Sequence, residues 1–248
     1  MDKERIVTRD RLDWRERYGN PPSLPATNIV INGIGRPNSI ADAIRTRMER
    51  AGSMLTNYEG DVRLQPQFNF QPFDALVMCH GIVNFDWFED ADFNAMAEVI
   101  DVNLTGSIRL ASAFVHQTIG TSKRKKIVSI GSMAYNHVLN GSAAYCASKA
   151  GLAHFMKCLA FELAPKGFDV YSIHPSNVEG TSMTNDTIEG LMRYRSMSRD
   201  EAERYWNTGN QRDENLTRFE IAETVAMLLS GRHPFLSGSN IELTGGNR

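Results

Sequence analysis

Short apolar runs alternate with amphipathic segments along most of the chain. Residues 28–32 (Asn-Ile-Val-Ile-Asn) form a short β-branched run, which predicts a buried strand. Ile40, Ile44 and Met48 then recur at helical spacing with arginines on the opposite face, which predicts an amphipathic helix. Gly52 follows that segment and is placed to end the helix.

The same alternation continues to the end of the sequence. Further strands are predicted over 54–57, 74–79, 126–130, 170–173 and 240–243, and helices over 91–119, 142–165 and 219–230. Strands that alternate with helices indicate an α/β fold of Rossmann type, a doubly wound, mostly parallel sheet in three layers. Sheets of this kind bind their ligands beyond the carboxyl ends of the strands.

One connection in this pattern is short. Only residues 58–73 separate the second predicted strand from the third. A crossover between parallel strands needs roughly a dozen residues or more, so two crossovers and an intervening strand do not fit there. We therefore expect the sheet to be trimmed at the edge after the second strand.

The first 26 residues differ from the rest of the chain. They mix acidic and basic residues, lack periodicity and end in a proline-rich segment, which predicts an N-terminal arm. Trp14 and Tyr18 could anchor this arm on the body or on another subunit, and a loosely ordered tail is the alternative. The remaining residues, 27–248, have a length suited to a single domain.

Composition narrows the classes of function. A net charge of −2 over 248 residues gives no reason to expect nucleic acid or an anionic membrane as a partner, and we interpret the basic run 123–126 as a solvated loop. No apolar run approaches the ~18 residues of a membrane span, and the charged N-terminal segment does not resemble a secretory signal. The three cysteines, Cys79, Cys146 and Cys158, lack the spacing of metal ligands, so no metal site is expected. They also cannot all form disulfides, and we expect a reducing, cytoplasmic location.

Candidate chemistry lies at the start of the helix predicted over 142–165. Tyr145 and Lys149 stand four residues apart and so share a helical face. An ammonium beside a phenol lowers the phenol pKa from its usual value near ~10, which suits a proton donor or acceptor at neutral pH. The hydroxyl of Ser132, just after the strand over 126–130, could hydrogen-bond the same substrate oxygen.

Together with their surroundings, these residues resemble the short-chain dehydrogenase/reductase family over roughly residues 27–248. The family's strand–Ser–Tyr-x-x-x-Lys unit matches Ser132, Tyr145 and Lys149, and its helix asparagine matches Asn103. The resemblance implies an NAD(P)-dependent oxidoreductase that transfers hydride between the cofactor and a carbonyl or secondary alcohol substrate, of the 3-oxoacyl or ketone reductase kind. It also implies that Asn103 supports a water-linked proton relay to Lys149.

The resemblance also indicates which residues bind the nicotinamide cofactor. The matching positions lie in the turn after the first strand, after the second and third strands, on the long helix, and in the Pro-Ser segment that follows the fifth strand, where Ser176 replaces the usual glycine. The expected cofactor-binding residues are Gly33, Arg36, Ser39, Ile40, Glu59, Asp61, Gly81, Lys149, Pro175 and Val178.

Charges near the second strand bear on the choice of cofactor. Arg36 stands where NADP-preferring relatives often carry a basic residue, whereas Glu59 stands where NAD-preferring relatives carry an acid. Asp61 is an alternative to Glu59 beside the adenosine. Because a carboxylate repels a 2′-phosphate more decisively than one exposed arginine attracts it, we favour NAD(H) over NADP(H).

Two departures from the family pattern leave alternatives open. Pro37 and Ser39 replace the second and third glycines of the first turn, as in the enoyl reductase branch, and Met78-Cys79-His80-Gly81 replaces Asn-Asn-Ala-Gly. Enoyl reductases place six residues between tyrosine and lysine, and this chain places three, which favours carbonyl chemistry. A dinucleotide-binding sensor or scaffold with impaired catalysis, and an epimerase or dehydratase of the extended relatives, are the competing hypotheses.

Two further expectations follow from the resemblance. In the family, the insert that corresponds to residues 182–217 closes over the substrate, and a surface helical hairpin with its own small core is the alternative. Relatives bury the helices predicted over 91–119 and 142–165 in a four-helix interface, which implies a homotetramer. The apolar residues Leu152, Phe155 and Leu159 fit either such an interface or the core.

Overall fold

A six-stranded parallel sheet organises the chain in a computed structural model that describes residues 27–33, 38–66, 68, 73–121, 123–207, 214–231 and 233–246. The strand order is β2-β1-β3-β4-β5-β6, and every neighbouring pair is parallel. The strands are β1 (Asn28–Asn32), β2 (Met54–Tyr58), β3 (Ala75–Met78), β4 (Lys125–Ile130), β5 (Phe168–Pro175) and β6 (Asn240–Leu243).

Helices cover both faces of this sheet, which confirms the predicted Rossmann-type α/β fold. They are α1 (Ile40–Arg50), α2 (Phe93–Ile100), α3 (Gly106–Thr118), α4 (Ala143–Leu163), α5 (Ser182–Arg195), α6 (Arg199–Asn207) and α7 (Arg218–Ser230). A π-helical turn (Asp101–Thr105) joins α2 to α3, so the segment predicted as one or two helices over 91–119 runs through three pieces. Short 3-10 turns follow at Met133–Tyr135, Ala164–Lys166 and Pro234–Leu236.

The sheet ends at β2, as the short connection after it predicts. In the register of the sheet, Val30 of β1 lies between Thr56 of β2 and Leu76 of β3. Among the described residues between β2 and β3 there is no further helix or strand. The chain therefore passes from the edge strand directly to the other side of β1.

Alternating side chains of each strand enter two separate cores. Ile29 and Ile31 of β1 pack with residues of α1 and α7, while Val30 between them packs with residues of α3 and α4 on the other face. Because both faces are covered, the strands carry the continuous apolar runs seen in the sequence. Gly52, at φ +86°, lies just beyond α1, where a left-handed residue ends a helix.

The topology places a binding edge at the carboxyl ends of the central strands. From β1 the chain goes to β2 on one side and to β3 on the other, so the winding direction reverses beside β1. Doubly wound sheets open a crevice at this reversal point. The loops that follow β1, β3, β4 and β5 all emerge at this edge.

The segment after β5 forms two helices with a small core of their own. Ile188 and Leu191 of α5 pack with Ala202 of α6, and Met192, Met197 and Trp206 lie against them. The predicted N-terminal arm, residues 1–26, lies outside the described residues. No helix in the described part of the chain has the length and hydropathy needed to cross a bilayer.

Candidate active site

A cleft of about 580 Å³ opens at the carboxyl edge of the sheet, within the size range of small-molecule sites. Its walls come from the turn after β1, the segments after β3, β4 and β5, and the helices α4, α5 and α6. Nine of the residues predicted from the sequence line it: Gly33, Ser39, Ile40, Gly81, Ser132, Tyr145, Lys149, Pro175 and Val178.

Ser132, Tyr145 and Lys149 are brought together by β4 and α4. Ser132 follows β4 in an extended conformation, and its Oγ accepts a hydrogen bond from the Ala134 N–H at 3.2 Å, which starts a 3-10 turn. Tyr145 and Lys149 lie in the first two turns of α4, and their side chains are buried. The Lys149 ammonium nitrogen lies 5.6 Å from the centre of the Tyr145 ring.

Burial controls the proton affinities of this pair. It lowers the pKa of Lys149 to about 8, because the apolar surroundings disfavour the ammonium. It also raises the pKa of Tyr145 above its ordinary value, and the hydrogen bond with Ser132 acts in the opposite direction. The expected lowering of the Tyr145 pKa is therefore not found in this structure, since loss of water outweighs the effect of Ser132.

Asn103 lies in the π-helical turn and bridges the loop after β3 to α4. Its side-chain amide pairs with both backbone groups of Ile82, donating to the carbonyl and accepting from the N–H at 2.9 Å each. The same Nδ2 donates to Ser148 Oγ at 3.0 Å, one residue before Lys149. Asn103 thus fixes the loop after β3 against the helix that carries the tyrosine and lysine.

The turn after β1 brings backbone and a helix terminus to the cleft. Gly33 has a φ of +85°, and a side chain there would begin 3.0 Å from the carbonyl carbon of Cys79, so only glycine fits between β1 and β3. Ser39 caps α1, with its side chain accepting from the Asp42 N–H at 3.0 Å. Arg36 lies outside the described residues.

The segment after β5 is held by backbone hydrogen bonds. Ser176 N–H donates to the Leu243 carbonyl at 3.0 Å, and Val178 pairs with Leu216 in a parallel bridge. These bonds tie the segment to β6 and to the residues just before α7. Pro175, Ser176 and Val178 consequently present a fixed wall to the cleft.

Glu59 and Asp61 lie at a different place from the other predicted residues. They line a second cavity of about 390 Å³ beyond β2, together with residues such as Tyr58 and Phe68. Glu59 accepts a hydrogen bond from Asn57 Nδ2 at 3.0 Å. Asp61 is paired with Arg63 at 2.8 Å, and this arginine lowers the pKa of the Asp61 carboxyl.

Comparisons with known proteins agree on one family. The short chain dehydrogenase family model matches residues 60–191, more than half of the chain. A 3-oxoacyl-[acyl-carrier-protein] reductase of Buchnera aphidicola is 29% identical over 179 residues, which cover 72% of this chain and 67% of that relative.

Solved structures share the fold. An NAD+-bound xylitol dehydrogenase superposes with a TM-score of 0.79 at 21% identity, covering 89% of this chain and 98% of its own. A single-residue variant of actinorhodin polyketide ketoreductase with NADPH also has a TM-score of 0.79 at 21% identity, covering 91% of this chain and 98% of its own.

The chain belongs to the short-chain dehydrogenase/reductase family. It is therefore an oxidoreductase that uses a nicotinamide cofactor and acts on a carbonyl or secondary alcohol substrate.

This short-chain dehydrogenase/reductase has a series of hydrogen-bonded polar side chains that the sequence pattern does not reveal. Asn32 Nδ2 donates to His80 Nδ1 at 2.7 Å, and His80 Nε2 lies 3.2 Å from Ser107 Oγ. Ser107 in turn donates to the Asn103 carbonyl at 2.8 Å. Because burial lowers the pKa of His80 to about 4, the ring is neutral near pH 7 and its Nε2–H faces Ser107.

The residues after β5 also contribute side chains to the cleft that are not among the site residues predicted from the sequence. Asn177, Thr181 and Thr184 line the cleft, and Thr181 caps α5 through the Thr184 N–H at 3.2 Å. Arg195 of α5 and Tyr205 and Trp206 of α6 complete the wall. Helical periodicity assigns these positions to helices but does not show which of them face a cleft. Within the described part of the chain, no cluster of three metal-ligating side chains is present.

Proposed function

We propose that this short-chain dehydrogenase/reductase interconverts a ketone or 3-oxoacyl compound and the matching secondary alcohol, with Asn103, Ser132, Tyr145 and Lys149 as its catalytic set. The convergence of Ser132, Tyr145 and Lys149 on one cleft carries this proposal. The name of the Buchnera relative, a 3-oxoacyl reductase, supports the same substrate class. Oxidation of NADH and NADPH in the presence of carbonyl compounds tests the proposal.

The cleft fits a nicotinamide dinucleotide. A methyl group added at Gly81 would lie 3.4 Å from both Asn103 Oδ1 and Lys149 Nζ, so this glycine keeps space open beside the lysine. The N-terminus of α1 lines the same cleft, and helix N-termini favour anions such as a pyrophosphate. Lys149 would hold the nicotinamide ribose, and Pro175 and Val178 would flank the ring. When bound, the nicotinamide supplies or accepts the hydride.

The protein's own groups manage the substrate oxygen and its proton. The hydroxyls of Ser132 and Tyr145 would hydrogen-bond one carbonyl oxygen, since both side chains line the same cleft and Ser132 acts on the pKa of Tyr145. In reduction, Tyr145 Oη gives its proton to that oxygen, and in oxidation it takes the proton back. The Lys149 ammonium stabilises the resulting phenolate in a site from which water is largely excluded, and Asn103 maintains the route by which the proton is replaced.

Residues 182–217 would act as the cover of the substrate. The two helices of this insert have their own core, as the hairpin alternative expects, and they also line the cleft. A small independent core lets α5 and α6 keep their shape while they move relative to the sheet. The two interpretations of this insert are therefore compatible.

We propose that Glu59 decides the choice between NAD(H) and NADP(H). Asp61 is neutralised by Arg63, whereas no cation pairs with Glu59 among the described residues. An unpaired carboxylate at the end of β2 would accept hydrogen bonds from ribose hydroxyls and repel a 2′-phosphate. We therefore propose NAD(H) as the preferred cofactor.

We expect the wild type to bind NADH more tightly than NADPH, and Glu59→Gln to reduce the difference by about tenfold or more, because the repulsion is removed. Dissociation constants from fluorescence titration measure this, with Glu49→Gln on α1 as a matched charge-loss control. Tighter binding of NADPH to the wild type, unchanged in the Glu59 variant, would show that Arg36 decides instead.

A homotetramer is the proposed assembly. Of the three apolar residues considered for an interface, Leu152 is buried, and Phe155 and Leu159 pack against the core. Phe161 of α4, however, is 86% exposed, and Ile108 of α3 is 38% exposed, which leaves apolar surface on the helices concerned. We expect a tetrameric mass by light scattering at micromolar concentration, and a monomeric mass would refute the proposal.

A cytoplasmic location is also proposed. All three cysteines are unpaired in the structure, as expected in a reducing compartment. Burial raises the pKa of the Cys79 thiol well above its usual range, which makes this side chain a packing residue and not a nucleophile.

A further inference from the structure

The charged groups of the cleft are all cationic. Among the described residues that line it, there is no aspartate or glutamate, and the basic side chains other than His80 are Lys149 and Arg195. His80 is neutral near pH 7, because burial lowers its pKa to about 4. Lys149 already has a place in the chemistry proposed above, so the role of Arg195 is unexplained.

Arg195 is the last residue of α5 and is held in place by α6. Its guanidinium carbon lies 4.5 Å from the centre of the Tyr205 ring, and both side chains line the cleft. A guanidinium stacked on an aromatic ring is fixed in orientation, and its N–H groups stay free at the rim of the plane.

Other arginines nearby differ from Arg195 in their partners. Arg193 lies 3.5 Å from Asp86, and Arg199 lies 2.8 Å from Glu203. In the described part of the chain, no carboxylate lies within ion-pair distance of Arg195. A half-buried cation in an acid-free cleft is suited to an anion that comes from outside the protein.

The position of Arg195 separates this anion from the cofactor pyrophosphate. The N-terminus of α1 follows β1, whereas Arg195 belongs to the insert after β5. Two strands, β3 and β4, lie between β1 and β5, so these strands are three spacings apart, roughly 14 Å. The N-terminus of α1 and Arg195 therefore follow strands that are separated by β3 and β4.

We propose that Arg195 anchors an anionic group of the substrate, a carboxylate or a phosphate remote from the reacting carbon. The inference rests on the proposed oxidoreductase function and specifies its substrate class. The substrate is then an oxo acid or oxo phosphate, with its reacting carbonyl at Ser132 and Tyr145 and its charged end at Arg195. The same cleft is also lined by apolar side chains, including Val138, Leu139, Leu191 and Trp206, which suit an aliphatic linker.

Matched substrate pairs test this inference. One set pairs 3-, 5- and 7-oxooctanoate with their methyl esters, and another pairs a 3-oxooctanoyl phosphopantetheine thioester with its pantetheine analogue, which differs only in having no phosphate. We expect kcat/KM to be at least about tenfold higher for the charged member of one set, as a charge-assisted hydrogen bond provides. The set in which the charged member is preferred shows whether the anion bound by Arg195 is a carboxylate or a phosphate.

Variants of Arg195 then separate binding from structure. Arg195→Gln should abolish the preference for the charged substrate by raising its KM, with kcat nearly unchanged. The kinetics of the neutral substrates should stay as in the wild type. Arg195→Lys should restore part of the preference. Arg199→Gln, a matched loss of charge on α6, should behave as the wild type. Equal losses on charged and neutral substrates, or a preference that survives in Arg195→Gln, would overturn the proposal.

A binding measurement distinguishes this proposal from the oxidoreductase proposal. Octanoate and 4′-phosphopantetheine carry the anion but no ketone, and calorimetric titration measures their binding without turnover. One of them should bind the wild type at least about tenfold more tightly than Arg195→Gln. Equal binding would contradict the anchor, whereas binding without reduction of any carbonyl compound would contradict the proposed reaction alone.

Discussion

Tyr145→Phe is expected to lower kcat by roughly 10²–10⁴-fold, the range that a positioned general acid contributes. The substitution removes one oxygen and leaves the ring, which packs against Val99 and Ala134 in a small core. The dissociation constant of the cofactor should change little, since no part of the proposed cofactor contacts uses the phenol oxygen. Steady-state kinetics and fluorescence titration of the same preparation measure both quantities.

Tyr171→Phe is the matched control for this variant. Tyr171 is another buried tyrosine, and its hydroxyl donates to the His233 carbonyl at 3.3 Å, away from the cleft lining. Its loss should leave kcat within about twofold of the wild type while costing roughly the stability of one hydrogen bond. Near-normal turnover in Tyr145→Phe would refute the catalytic assignment of Tyr145 and would mean that another group supplies the proton.

Lys149→Met should also reduce activity by roughly 10²-fold or more, because the phenolate loses its stabilising cation. It should weaken cofactor binding as well, through the lost contact with the ribose hydroxyls. The same substitution is expected to raise the free energy of unfolding. Methionine has a similar length and no charge, so it fills the buried site without the cost of desolvating an ammonium.

The pH dependence of stability gives a second measure of this cost. Burial lowers the pKa of Lys149 from 10.5 to about 8, so below pH 8 the ammonium is charged in the folded and unfolded chains alike and the cost is fully present. Between about 8 and 10.5 the unfolded chain holds this proton and the folded chain releases it, so stability rises with pH. Urea unfolding across this pH range should show the rise in the free energy of unfolding in the wild type. The rise should be absent in Lys149→Met.

Lys125→Met provides the contrast. Lys125 is also buried, and its ammonium donates to the Phe73 carbonyl at 2.8 Å and pairs with Asp74 at 3.3 Å. The Lys149 ammonium, by contrast, has one longer hydrogen bond, 3.4 Å to the Ile130 carbonyl. Removal of the Lys125 ammonium leaves its two partners unsatisfied and should lower the free energy of unfolding by about 1–3 kcal/mol, with kcat unchanged. If Lys149→Met lost stability as Lys125→Met does and kept its activity, Lys149 would be a structural residue.

Much of the fold could be predicted because strands that are covered on both faces consist of continuous runs of apolar residues. The strand at Asn240–Leu243 and the helix that ends before Gly52 follow the predicted bounds closely. β5 begins earlier than predicted, at Phe168, because the polar Asp169 interrupts the pattern. In the structure Asp169 is buried beside Arg124 at 2.6 Å, a partner that local periodicity cannot show.

Less of the candidate site could be predicted, since much of it depends on contacts between distant segments. The spacing of Tyr145 and Lys149 fixes a common helical face, and the structure places both in the cleft. The same spacing led us to expect a lowered Tyr145 pKa, which burial reverses. The bonds of His80 to Asn32 and Ser107, and the stacking of Arg195 on Tyr205, arise only when separate elements pack together.

We propose that the cleft lined by Ser132, Tyr145 and Lys149 reduces a carbonyl group with a nicotinamide cofactor. The most direct measurement follows deuterium from C4-dideuterated NADH, and in parallel NADPH, into the products of the oxo-acid and thioester panel by mass spectrometry. We expect the alcohol from at least one substrate to be one mass unit heavier, with the label on the carbinol carbon and no such product from Tyr145→Phe. Absence of labelled alcohol across the panel, or equal labelling by the Tyr145→Phe variant, would contradict the account.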